Sequence, residues 1–544
     1  MAKGDLPKLN ELISHLDNLP KPSFDKLLGY LKSTEIKHSS EEKRTPLWTA
    51  LVKFTIKHKK YSDADWALSP ELVEEIEQVA ENLTPQKPKN LYRRLFNEGA
   101  MELYEEKGDW QEQEKKLERC RQNAIQEIIA DGGLKAVLQF AETVGFPQEL
   151  GGSLGVVAED NVDSVILPDL LESEDEKLVL LARGFIWARR WTKGWEWIDQ
   201  IDTSDWSNVQ IGKFLSCLSF TKDTWQYSEK LLREFEVEYW SRVSVNPYQA
   251  KDNLNLVVDK LIKYNRPNAA ISCLRRILHD KKPLDKTKAI DALLKAVSSD
   301  EPAYSMDVYN TVEIIKALQD DPETNQDDLF SIEWAYLPLL TGSGKSASPK
   351  LLEQRLASDP DFFCEAVCLL YRSKDETKSD KEPTEQQKTI AQNLWRLLRD
   401  WKTLPGTNLD GSFSVENFNS WLNNVKTKCE QSGRLEVAMS TIGNVLIHYI
   451  PDPSGLWIHK SLAEALNADD AERMRNGFYI GILNSRGAHA VDPTGKPEKE
   501  LAAKYRQQAE EVENARYYRF ANTLKSLADS YEHEAERIIE EHRG

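Results

Sequence analysis

Residues 254–278, LNLVVDKLIKYNRPNAAISCLRRIL, decide the fold. Leu254, Val257, Val258, Leu261 and Ile262 recur three and four apart, which puts them on one face of an α-helix. Asn265-Arg266-Pro267 then interrupts the pattern. Asn tolerates the left-handed backbone that ends a helix, and Pro, lacking an N–H, starts the next one. Ala270, Ile271, Leu274, Ile277 and Leu278 form a returning stripe. The unit reads as an αα-hairpin with a tight turn.

The same spacing runs outward in both directions, from Leu9 to Ile539, with almost no strand-like alternation. Ser69-Pro70-Glu71 reads as a helix start, with Ser as the cap and Glu71 at the positive end of the dipole. A charged helix is expected from about Gln111 to Ile129, ended by Gly132-Gly133. Thr384, three residues before Gln387, makes a capping box. Gly433 separates two further helices. Each hairpin has an apolar face that it cannot bury alone, so neighbours must stack. No fixed repeat period is present. The fold class expected is all-α: irregular stacked αα-hairpins in a TPR- or HEAT-like solenoid or superhelical array.

The expected organisation is an N-terminal helical region over 1–133, an aromatic-rich helical region over 134–372, a charged linker over 373–386, and C-terminal hairpins over 387–544. The linker, SKDETKSDKEPTEQ, is nearly free of apolar residues. A second exposed connection, NSRGAHAVDPTGKPE at 484–498, is rich in Gly and Pro.

Composition narrows the function classes. Hydrophobic residues make up 40% of the 544 and charged residues 29%, which fits a folded chain rather than a disordered one. The formal charge of −18 argues against general nucleic-acid binding, because phosphates attract Lys and Arg. The start, MAKGDLPKLNEL, lacks the apolar stretch of a signal peptide. No apolar run approaches the roughly 20 residues of a membrane helix. A cytoplasmic chain without a membrane partner is expected. Six Cys are scattered without a Cys-x-x-Cys pair. Cys364 and Cys368 lie one helical turn apart, but no nearby His or Cys in the sequence completes a metal set, so the cysteines read as small buried residues. No metal or cofactor is expected.

Several stretches imitate chemistry. TGSGKS at 341–346 resembles the end of a phosphate-binding loop, and Lys345 and Ser346 fit that pattern. Leu339 stands where the first Gly is required, and the preceding SIEWAYLPLL reads as helix rather than strand, so the stretch reads as an inter-helix loop. His533-Glu534-Ala535-Glu536-Arg537 has Arg where a zinc helix needs its second His. RGFIWARRWTKGW, at 183–195, interleaves Arg183, Trp187, Arg190, Trp191 and Trp195. Such a pattern serves either as core with Arg heads reaching outward or as a binding patch. Seven of the 15 Trp lie between Trp187 and Trp240, which makes this region the first choice for a partner surface. The 484–498 loop holds Arg486, His489, Asp492 and Lys496, an acid–base–cation set of the kind that loops bring to sites. His459 reads as a structural histidine beside a Pro/Gly turn.

Three stretches carry a resemblance: TPLWTALVKFTIKHKKYSDADWAL at 45–68, IHKSLAEALNADDAERMRNGF at 458–478, and the segment from Asn484 to Ile538 that begins NSRGAHAVDPTGKPEKELAAKYRQQAEEVENARYYRF. They resemble the C-terminal portions of very large, mostly uncharacterised bacterial proteins. The resemblance covers most of the chain. It implies a helical-repeat region that lies behind other domains in those proteins. Their size and architecture are similar to those of bacterial defence proteins that couple a sensor array to an N-terminal effector. No catalytic residue carries over.

The functional expectation is a non-enzymatic scaffold that recognises a protein partner, plausible as the sensing or assembly part of an antiviral system. Arg183, Trp187, Arg190, Trp191, Trp195, Arg486 and His489 are the candidate partner-binding residues. Two alternatives stand beside it. One is a nuclease or nucleotide hydrolase with its site in loop 484–498 or near Lys345. The other is an oligomerisation module.

Overall fold

The structure is a computed structural model, and it describes residues 5–302, 306–341, 347–373 and 384–542. Among these residues the fold is all-α, with helices joined by turns and loops and no strand. One isolated antiparallel bridge pairs Thr407 with Phe413. The chain divides into two compact units, Met1–Asn253 and Leu254–Gly544, so the hairpin at 254–278 opens the second. The expected region 134–372 spans this division, and most of the expected linker (374–383) lies outside the described residues, as does Lys345.

The hairpin forms as its sequence dictates. Leu254–Lys263 buries Leu254, Val257, Val258 and Leu261, and Pro267–His279 buries Ala270, Ile271, Leu274 and Ile277. Asn265 takes φ +57°, and the Arg266 N–H donates to Leu261 O at 2.8 Å. That bond satisfies a carbonyl the helix would otherwise leave orphaned. The same device ends three other helices. Gly433 (φ +68°) precedes Arg434 N–H to Cys429 O at 2.8 Å, Lys281 (φ +56°) precedes Lys282 N–H to Ile277 O at 3.1 Å, and Arg516 (φ +71°) precedes Tyr517 N–H to Val512 O at 2.9 Å. The final hairpin, Lys496–Asn514 with Tyr518–Glu541, is antiparallel: Tyr505 stacks on Tyr531 and Lys525 pairs with Glu513, the numbers running in opposite senses.

Two local expectations are refined. The Gly132-Gly133 break is present, with Gly133 at φ +66°, but the helix resumes beyond it, so Trp110–Ala141 is a kinked pair. Ser69 occupies the cap position of Pro70–Glu81, yet its hydroxyl makes no cap bond to a backbone N–H. The Thr384–Gln387 box forms in full, at 3.3 and 2.9 Å.

Each unit contains a crossing where two helix backbones nearly touch at a glycine from each helix. In the first unit, a Cβ on Gly151 would sit 1.9 Å from Leu181 O, and one on Gly184 would sit 2.0 Å from Gln148 O. These residues belong to Pro147–Val157 and Glu176–Lys193. In the second unit, Gly443 lies the same way on Met474 O (1.9 Å) and Gly477 on Ser440 O (2.0 Å), between Leu435–Val445 and Glu472–Ser485. Only residues without a side chain permit this approach, so the glycines set how each helix is rotated about its own axis.

His58, buried in the N-terminal core on Glu41–Lys60, accepts from Leu68 N–H at 3.1 Å through Nδ1. Burial holds its imidazole below the ordinary value; Asp17, 3.8 Å away, opposes this and Lys57 adds to it. The folded chain therefore binds fewer protons here than the unfolded chain. The contribution is complete above about pH 6.5 and declines as pH falls from there toward the lower folded value. Urea midpoints at pH 7.5 and 5 are expected to show lower stability at pH 5. The difference is expected to shrink in His58→Gln, whose amide oxygen keeps an acceptor for Leu68.

Candidate functional site

The Glu176–Lys193 helix is oriented from its inner side. Leu181, Gly184, Phe185 and Ala188 are buried against Pro147–Val157. Arg189 joins them, 1% exposed. Its Nε donates to Asp163 Oδ1 at 2.9 Å, Nη1 to Gly155 O at 3.0 Å, and Nη2 to Glu159 O at 2.8 Å. Trp197 Nε1 donates to the other Asp163 oxygen at 2.6 Å. With Arg189 inward, helical geometry sends Arg183, Trp187 and Trp191, four residues apart, to the opposite side.

That outer side is open. Trp187 is 55% exposed and Trp191 76%, and their rings stack with centroids 5.8 Å apart and planes 4° from parallel. Arg183, one turn before Trp187, is exposed and has no ion-pair partner among the described residues. The result is a cation followed by two flat apolar plates along just over two helical turns. Of the two readings of this stretch, the core one fails for Trp187 and Trp191, which are exposed, while Arg183 reaches outward as either reading allows.

The other two residues of this set sit apart from the stripe. The Arg190 guanidinium lies 3.8 Å from the centre of the Trp195 ring, and Trp195 stacks on Tyr227 at 5.3 Å. Desolvation lowers the Arg190 pKa, while Asp223 and Tyr227 oppose it. This column is half-buried and ties the helix to Lys222–Leu232. The aromatic region as a whole is less of a surface than its composition suggests. Trp197, Trp225 and Trp240 are buried, the last two packed with Phe220, and Trp206 is half-buried against Phe214.

Loop 484–498 converges on a residue its sequence did not single out. Arg486 pairs with Glu498, which is fully buried, and His489 Nε2 lies 3.9 Å from the same carboxylate. Asp492 and Lys496 do not join them. Asp492 accepts from Thr494 N–H (2.9 Å) and Oγ1–H (2.7 Å) in a local turn that lowers its pKa, and Lys496 faces Glu500 at 3.8 Å. The Arg486–Glu498 pair clamps the end of Glu472–Ser485 to the first turn of Lys496–Asn514.

The second unit also holds a cavity of about 900 Å³, lined in part by Gln319, Lys350, Glu353, Lys402, His448 and Asn484. Its buried carboxylate is committed: Glu353 accepts from the Lys402 and Thr403 N–H groups and from the Thr403 hydroxyl at 3.0–3.2 Å. Burial nevertheless raises its pKa, against those hydrogen bonds. Lys350 pairs with Asp320 at 2.7 Å, and Arg399 on the same wall takes Asp400. Desolvation and Lys402 hold His448 below its ordinary value. Two of the wall's cations, Lys350 and Arg399, are therefore already paired.

Among the described residues, no group of three His, Cys, Asp or Glu is arranged to hold a metal ion, and no helix is long and apolar enough to cross a membrane. No protein-family model matches the chain, and the comparison with curated proteins finds no match.

Proposed function

We propose that this chain is a helical scaffold that recognises a protein partner through the Arg183–Trp187–Trp191 stripe. The observation that carries the reading is the exposed, parallel pair of indoles on a helix whose other side is locked. Removing such rings from water is worth several kcal/mol at roughly 25 cal/mol per Å². Trp and Arg are the residues that most often dominate protein interfaces. The partner this stripe suits presents an apolar surface to the two rings and a carboxylate to Arg183. The resemblance to the array portions of large bacterial proteins extends the reading to the sensing or assembly part of an antiviral system, working in the cytoplasm.

The test is affinity capture from the native host, with and without phage infection, using the wild-type chain and a Trp187→Ser/Trp191→Ser variant. Both indoles are exposed, so the variant is expected to fold with an unchanged circular dichroism spectrum. Its affinity for the partner is expected to fall by about 2 kcal/mol or more, roughly 30-fold. Equal retention of every captured protein by a folded variant would remove this surface from consideration. Light scattering at several concentrations identifies the case in which the partner is a second copy.

A further inference from the structure

Cys364 and Cys429 are 65 residues apart in the chain, yet their sulfurs meet at 3.5 Å. Cys364 lies on Pro360–Leu370 and Cys429 on Val415–Gln431. Both are buried, and the contact between them is the one hydrogen bond either thiol makes among the described residues. Cys368, one turn along from Cys364, is half-exposed and close enough to Cys429 to act on it electrostatically. The two helices are held together on either side of the sulfurs. Asp361 pairs with Lys428, Phe363 packs on Trp421 with centroids 5.2 Å apart, and Arg434 Nε donates to Tyr371 O at 2.7 Å.

We propose that Cys364 and Cys429 form a peroxide-oxidisable dithiol site, which closes to a disulfide and ties these two helices together. A disulfide needs an S–S distance of about 2.05 Å, so the sulfurs must approach by roughly 1.5 Å. The oxidant is hydrogen peroxide; Cys364 keeps 8% exposure and Cys429 none, so Cys364 is the thiol of the pair nearer to solvent. One thiol loses its proton, and its thiolate attacks a peroxide oxygen. The O–O bond breaks, hydroxide leaves and takes up the proton as water, and the sulfur becomes a sulfenic acid. The second thiol loses its proton and attacks that sulfur. The S–S bond forms, the S–OH bond breaks, and a second water departs. Two thiols and one peroxide become one disulfide and two waters. The hydrogen bond from Cys364, with a smaller contribution from Arg434, favours the thiolate at Cys429 against burial and Cys368, which suits it to attack the oxidised partner.

The test treats the full wild-type chain with hydrogen peroxide, alkylates the remaining thiols in urea, and maps peptides without reduction. The expected result is a peptide joining Cys364 to Cys429, a fall in alkylated thiols from the six in the sequence to four, and full recovery with dithiothreitol. The melting temperature is expected to rise on oxidation and to return on reduction. In Cys429→Ala the linked peptide and the temperature shift are both expected to vanish. If that variant does not fold, the wild-type peptide map decides alone. Alkylation of both Cys364 and Cys429 after peroxide, or linkage of either one to a different cysteine, would overturn the proposal.

Discussion

Gly184→Val is expected to prevent the first unit from folding, or to destabilise it by roughly 4 kcal/mol or more, which places it among the severe single substitutions. The cause is steric. A Cβ at residue 184 would stand 2.0 Å from Gln148 O and 2.9 Å from both Gln148 C and Gly152 N. Those are backbone atoms of Pro147–Val157, so no side chain can swing aside. Relief requires the helices to separate, and separation exposes Leu150, Leu154, Leu181 and Phe185, each fully buried in the crossing. Gly152 supplies the control. It lies on the same helix, but a Cβ there meets nothing within 4 Å. Gly152→Ala is therefore expected to be neutral or to stabilise by up to about 1 kcal/mol through helix propensity. Urea unfolding of the full chain, followed by circular dichroism and tryptophan emission, separates the two outcomes.

Arg189→Met is expected to cost about 3–5 kcal/mol, the range for breaking one side of a buried ion pair. Met fills much the same volume but donates nothing. The substitution strands the Asp163 carboxylate, which keeps only Trp197 Nε1 among the donors described above, and it leaves the carbonyls of Gly155 and Glu159 without their Arg donors. Because much of the loss is an uncompensated charge, Arg189→Met combined with Asp163→Asn is expected to recover part of it. A double variant as unstable as the single one would mean that packing of the Arg side chain, whose guanidinium carbon lies 4.9 Å from the centre of the Phe185 ring, carries the effect instead.

What the sequence could convey follows from these contacts. Periodicity identifies a helix and its apolar side, which is why the Asn265 and Gly433 turns, the Thr384 box and the final hairpin were legible. Periodicity does not fix rotation where both sides of a helix carry large residues. Between 183 and 195, Arg and Trp alternate around the axis, and the outcome depended on Gly184 and Ala188 admitting a neighbouring backbone and on Asp163, twenty residues or more away in sequence, drawing Arg189 inward. Arg183, Trp187 and Trp191 were therefore candidates without a known orientation. Arg190 and Trp195 went to a column completed by Tyr227, which no local pattern announces. The left-handed turns at Lys281 and Arg516 were illegible for a related reason: long charged residues seldom adopt that backbone, and tertiary packing holds them there. One-turn helices such as Pro88–Leu91 are too short to show a period at all. In loop 484–498, Arg486 and His489 were found but their shared partner was not. Glu498 looks like an ordinary first-turn acid and is instead fully buried. The Cys364–Cys429 contact joins two helices whose closeness is a property of the fold alone.

The central claim concerns which tryptophans this protein reserves for a partner, and hydroxyl-radical footprinting with mass spectrometry, on the free full-length chain and on its captured complex, addresses it most directly. Trp187 and Trp191 are predicted to oxidise readily in the free chain, as are the exposed Trp66, Trp110 and Trp395, with Trp197, Trp225 and Trp240 protected; Trp187 and Trp191 are predicted to lose that reactivity when the partner is bound. Indoles at 187 and 191 that are as protected as Trp240 in the free chain, or equally reactive in the complex, would contradict the account.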